Sequence, residues 1–137
     1  MVGSKQRDQI MVSLNKVYIA GRLTRKPELR KTPGGASVTD LLVALNREFT
    51  NVNGERQQEV CFVDVVVWGK QAEICAEMLD ISSSVLVEGR LQLDVWYARG
   101  DGDKRCKLRV AAERVQFLDR KGAIDSTKEY AESSSEN

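Results

Sequence analysis

"VCFVDVVVWGKQAEICAEMLDISSSVLVEGRLQLDVWY", residues 60–97, carries the change of period that decides the fold. Side chains on a strand alternate between two faces. In "VCFVDVVVWGK" the odd positions Cys61, Val63, Val65 and Val67 form a core face. The even positions Val60, Phe62, Asp64, Val66 and Trp68 place two aromatics beside an aspartate. From Gly69 the spacing lengthens. Ala72, Ile74, Cys75, Met78 and Leu79 recur at three and four with Lys70, Glu73 and Glu77 off the stripe, which predicts a short amphipathic helix over 69–79. Alternation then returns, with Val85, Val87, Gly89, Leu91, Leu93 and Val95 on one side. Leu86, Glu88, Arg90, Gln92, Asp94 and Trp96 lie on the other, the pattern of a half-buried strand.

Working outward, Asn53-Gly54 signals a hairpin that joins this strand to "ASVTDLLVALNREF" (36–49), a strand apolar on both faces in its middle. "TPGG" (32–35) is a turn, and "NKVYIAGRL" reads as a first strand with Val17, Ile19 and Leu23 on one face. On the other side, "GDGDK" turns the chain into "CKLRVAAERV", with Cys106, Leu108, Val110 and Ala112 expected inward. Residues 1–14 lack a period and read as a flexible arm, and 122–137 read as a disordered, mildly acidic tail. Five strands with one short helix between the third and fourth is the element order of an all-β OB-fold, a five-stranded Greek-key barrel, here over residues 15–121.

Composition removes much enzyme chemistry. The chain has no histidine, so a Ser-His or Cys-His pair, a histidine base and a histidine metal site cannot be built. Three widely spaced cysteines match neither a zinc pattern nor a CxxC pair and are expected to be buried, reduced thiols; no cofactor is expected. No apolar run approaches the ~20 residues of a membrane span, and "MVGSKQRDQIMVS" lacks a secretory core, so a cytoplasmic, non-membrane protein is expected. Net charge is +1, but 122–137 holds four acids against one base, which leaves +4 on the body, a weak pointer to a polyanion.

The site is argued from misplaced aromatics. Trp96 stands on the polar face of its strand, Phe62 and Trp68 flank Asp64, and Phe49 ends the second strand after Arg47. Basic residues accompany them: Arg22, Arg30, Arg47, Arg56, Lys70, Arg90 and Arg99 are candidate phosphate contacts. Unpaired bases stack on flat rings whatever their identity, and Arg or Lys neutralises the phosphates. From the pattern alone, nucleic-acid binding, a protein interface and ordinary packing all remain open. A metal-dependent nuclease using Asp64, Asp101 and Asp103 is a further reading, though a hairpin turn accounts for "GDGDK" more simply.

Beyond the pattern, "NKVYIAGRLTRKPELRKTPGGASV", "VALNREF", "VVVWGKQAE" and "VEGRLQ" resemble the bacterial-type single-stranded-DNA-binding proteins, in order and at the expected spacing from about Asn15 to Lys121. The resemblance implies a non-enzymatic OB-fold that coats single-stranded DNA in replication, recombination and repair, in the nucleoid-associated cytoplasm. It implies a homo-oligomer, usually a tetramer, paired through the first strand near Tyr18 and Ala20. Carried onto matching positions, the stacking residues are Phe49, Phe62, Trp68 and Trp96, the same four that stood on awkward faces. A replication-restart accessory protein acting chiefly as an adaptor is the alternative, and four aromatics argue against it. Two departures stand out. The tail ends "EYAESSSEN" without the family's acidic-hydrophobic tip, so docking of replication and repair proteins there is not carried over. "DISSSV" replaces the family's Lys-Gly turn after the helix.

Overall fold

The computed structural model describes residues 12–118. Five long strands and one helix follow in the expected order: β1 (Val17–Leu23), β2 (Ser37–Thr50), β3 (Arg56–Trp68), α1 (Gly69–Met78), β4 (Ser84–Tyr97) and β5 (Lys104–Phe117). A two-residue strand, Arg30–Lys31, lies on the edge of β2. β1 pairs with β4, β4 with β5, β5 runs parallel to β3, and β3 pairs with β2. β2 then returns to β1 through Arg22↔Ala44 and Leu23↔Val43, which closes the barrel. This is the OB-fold. The arm as far as residue 11 and the tail from 122 lie outside the described residues.

Alternation builds the interior. Leu23, Leu41, Val43, Val65, Val67, Val85, Val87, Val110, Val115 and Phe117 fill the barrel, and Ala72 and Cys75 of the helix, with Leu79 just after it, join the same core. Burial pushes the Cys75 thiol up to about 12, so it stays protonated and inert. β1 comes unusually close to β2, where a Cβ on Gly21 would stand 2.3 Å from the Ala44 carbonyl oxygen.

Three corrections follow from tertiary geometry. First, β2–β3 and β4–β5 run past the barrel wall as two-stranded arms. β3 begins at Arg56, not Val60, because its polar start pairs with the end of β2 from Arg47↔Glu59 to Thr50↔Arg56. The connecting loop is Asn51–Glu55, not a two-residue turn. The Asn51 side chain accepts from the Asn53 and Glu55 N–H groups, and only Gly54 takes a left-handed backbone.

Second, residues expected inward on those arms have no interior to enter. Cys61, Leu91, Leu93, Val95, Cys106 and Leu108 are exposed, so the expectation of buried thiols holds for Cys75 and fails for Cys61 and Cys106. Third, a bulge between Glu88 and Gly89 leaves Glu113 outside the ladder. It switches the inward set of β5 from Val110 and Ala112 to Val115 and Phe117.

The turn after the helix places a serine, not a glycine, in the left-handed region. Ser82 adopts φ 72° there, held as its N–H donates to the Leu23 carbonyl while Ser83 Oγ accepts from the Asp80 N–H.

Candidate nucleic-acid interface

The outer face of the barrel can be read row by row, because residues directly opposed on paired strands share a face. One row runs Arg22, Ala44, Phe62 across β1, β2 and β3. A second runs Arg30, Val38, Trp68 from the edge strand to β3. A third joins Asp40, Val66, Ala111 and Arg90 across β2, β3, β5 and β4. Further along the β4–β5 arm the opposed pairs are Gln92 with Arg109, Asp94 with Lys107, and Trp96 with Arg105. β3 and β4, joined through β5, therefore bring Phe62, Trp68 and Trp96 onto one face.

Those rings are open. Phe62 is 62% exposed, Trp68 49% and Trp96 44%, although each belongs to a residue type that folding ordinarily buries. They escape burial because their strand positions have the parity opposite to the core. Phe62 and Trp68, six residues apart on one strand, stand roughly 20 Å from each other.

Phe49 is placed differently. It opposes Gln57 at an odd position of β2, so it projects from the other side of the arm, half-buried, with the Arg47 guanidinium carbon 4.7 Å from its ring centre. Arg47 is also tied to Glu59 at 2.6 Å, and Arg56 is paired with Glu48 on the same arm. Arg99 is exposed in the β4–β5 hairpin loop, and Lys70 sits in the first turn of α1. Of the seven basic residues picked from sequence, the lattice groups Arg22, Arg30 and Arg90 with the three open rings.

The fold adds three cations that sequence reading passed over. Arg105, Lys107 and Arg109 occupy alternate positions of β5 on the face that carries Trp96. Their signal was present: in "RCKLRV" the apolar residues alternate with cations at a spacing of two.

The cations are held by acids. Lys107 pairs with Asp64, Arg30 reaches Asp40 at 2.9 Å, and Arg109 lies 3.1 Å from Asp94 and 4.0 Å from Asp40. Asp101, at the hairpin loop, accepts the Asp103 N–H and pairs with Arg105 at 3.1 Å. Asp64 is thus separated from Asp101 and Asp103 in its bonding, and no cluster of three acids or cysteines able to hold a metal forms among the described residues. The helix is too short and polar to cross a membrane, and no other described helix is long enough.

What the face can do chemically follows from its parts. Flat rings receive other flat rings, and the cations among them receive phosphate oxygens, with Arg105, Lys107 and Arg109 recurring along β5 at about 7 Å. Nothing on it needs proton transfer or a nucleophile.

Comparison with known proteins agrees with that inventory. The single-strand binding protein family matches residues 14–118. The single-stranded DNA-binding protein of Wolinella succinogenes is 42% identical over 133 residues, 88% of this chain and 82% of the relative. Single-stranded DNA-binding protein A of Bacillus subtilis is 45% identical over 108 residues, 79% of this chain and 61% of the relative. Among solved structures, the single-stranded DNA binding protein of Thermus aquaticus superposes with TM-score 0.68 at 35% identity, covering 80% of this chain. This chain spans only 52% of that one. A Plasmodium falciparum SSB complex with ssDNA superposes with TM-score 0.73 at 22% identity over 80% of this chain and 99% of the other, which bears on the fold alone.

Proposed function

The chain belongs to the single-strand binding protein family, and on that premise we propose that it binds single-stranded DNA without regard to sequence, in replication, recombination and repair. The observation that carries the reading is the set of open rings, Phe62, Trp68 and Trp96, that shares one outer face with Arg22, Arg30, Arg90, Arg105, Lys107 and Arg109. Each stacked base contributes about 1–3 kcal/mol whatever its identity, and each neutralised phosphate releases counterions, so binding weakens with salt. The protein acts by binding and not as an enzyme.

Phe49 takes part as a fourth stacking residue. A strand that reaches it passes over the β2–β3 arm, where Arg47 and Arg56 flank the route and Arg99 and Lys70 guide the strand at the rim. That path wraps the DNA around the arm, and a wrapped path is favoured by more than one copy of the chain. The second edge of β1 supports such an assembly. Residues 17–21 pair with β4 on one side, β1 meets β2 only at Arg22 and Leu23, and Tyr18 stands exposed. Pairing of two copies there, and of two dimers into a tetramer, completes the reading. The protein then resides with the nucleoid in the cytoplasm.

Titration with oligo-dT, followed by tryptophan fluorescence at two salt concentrations, tests it. Strong quenching as bases stack on Trp68 and Trp96 is expected, with a salt slope of about 0.7 per phosphate neutralised. Absence of quenching overturns the stacking mechanism, quenching indifferent to salt overturns the phosphate contacts, and either outcome favours a protein adaptor.

A further inference from the structure

The acids on the binding face are the unexpected part of it. A surface meant for a polyanion carries Asp40, Asp64 and Asp94 in its middle, between the rings, and each is engaged with a cation of that same surface. The pairs are neither fully solvated nor sealed. Side-chain exposure is 15% for Asp64, 22% for Asp40 and 24% for Arg109, so bulk salt screens them less than a surface pair.

They are also imperfect. Arg109 Nε lies 3.1 Å from Asp94 Oδ2, yet the approach is off the hydrogen-bond axis. Arg109 Nε and Asp40 Oδ1 are the buried side-chain polar atoms that, among the described residues, have no hydrogen-bond partner. Asp94 spends its other oxygen on the Gln92 amide at 2.9 Å. Burying a donor and an acceptor unmet is unfavourable, and here both belong to one ionic group on the proposed DNA surface.

We infer that Asp40, Asp64 and Asp94 stand in for phosphate in the free protein, holding Arg109 and Lys107 extended across the face until DNA phosphates displace them. The inference rests on the single-stranded-DNA reading above and deepens it. It makes Arg109 and Lys107 the central phosphate contacts and the three aspartates the groups that set affinity. No covalent step is involved; one anion replaces another. A phosphate offers several oxygens and can meet the Arg109 Nε–H that Asp94 leaves unmet, whereas the carboxylate is fixed on its strand. The same pairs keep a dense cationic face from repelling itself and keep the long side chains ordered before DNA arrives.

A double-mutant cycle tests the exchange. Asp94→Asn is expected to tighten oligo-dT binding roughly five- to tenfold in the otherwise native chain, and by less than about twofold in an Arg109→Gln background. Asp64→Asn with Lys107→Gln forms a second, independent cycle with the same expectation, and thermal melts confirm that each variant is folded. Equal tightening in both backgrounds means that the acids act only by diffuse repulsion, and overturns the exchange. No tightening, or weakening, by either aspartate change overturns it as well. In both cases native binding persists, so the parent reading survives; a native chain that fails to quench with oligo-dT removes both.

Discussion

β4 and β5 each live in two environments, and the contrast between them organises the molecule. Up to the bulge at Gly89 their alternating apolar residues, Val85, Val87, Val115 and Phe117, are sealed inside the barrel. Past it the same alternation continues through Leu91, Leu93, Val95 and Leu108, and all four are exposed. β2 and β3 repeat the change between Val43 and Arg47. The barrel interior supplies stability, while the candidate site lies on the barrel's outer face and continues along the β4–β5 arm. Periodicity tells which side a residue faces; it does not tell what stands on that side.

Two leucines sharpen the comparison most. Leu41 is 1% exposed and Leu93 58%, though both occupy the apolar phase of their strands. Leu41→Ala is expected to lose about 2–5 kcal/mol of stability in denaturant unfolding, through lost burial and the cavity it leaves. Leu93→Ala should stay within about 0.5 kcal/mol of the native chain. Similar losses for the two would mean that the arm face is covered.

Trp96→Ala reverses the roles. It should weaken oligo-dT binding by about 1–3 kcal/mol, equally for oligo-dC of the same length, with the melting temperature nearly unmoved. A loss confined to one base would contradict stacking that ignores base identity, and a loss of fold would place Trp96 with the barrel half. Ser82→Gly bears on the barrel half alone. Relieving a left-handed serine is expected to add about 1 kcal/mol of stability, some 4–8 °C in a melt, with affinity unchanged.

The smallest effect lies where β1 begins. Lys16 bonds Glu88 and Glu113, both at 2.8 Å, and its hydrogen bond to Glu113 holds that carboxyl below its ordinary range. A carboxyl with a lowered folded value contributes stability that is complete above its unfolded value and is lost as pH falls through the folded one. The melting difference between the native chain and Lys16→Met should therefore be small at neutral pH and vanish in acid. A difference that grows in acid contradicts this linkage.

Much of this was legible from residues alone. The helix over 69–79 matches Gly69–Met78 because its stripe is short-range and its Trp68–Gly69 boundary is abrupt. The parity of Phe62, Trp68 and Trp96 was also readable, since Trp96 interrupts a polar face and Phe62 and Trp68 flank Asp64 opposite the valines of the core face. Less legible were quantities set by partners distant in sequence. The bulge opposite Glu113 depends on how β5 closes against β4, and "AAERV" shows no break in pattern. Phe49's side of the arm depends on its pairing with Gln57. The aspartate–cation pairs join residues from β2, β3, β4 and β5 that no local window contains.

The division has one physical cause. Alternation, turn chemistry and helix spacing are properties of neighbouring residues, so the chain by itself determined its elements, their order and the faces of Phe62, Trp68 and Trp96. Depth of burial, the reach of the arms and the partner of each charge are set by which strands meet and where the barrel wall ends. Only closure of the sheet decides those, because an inward side chain is buried only if another strand stands opposite it.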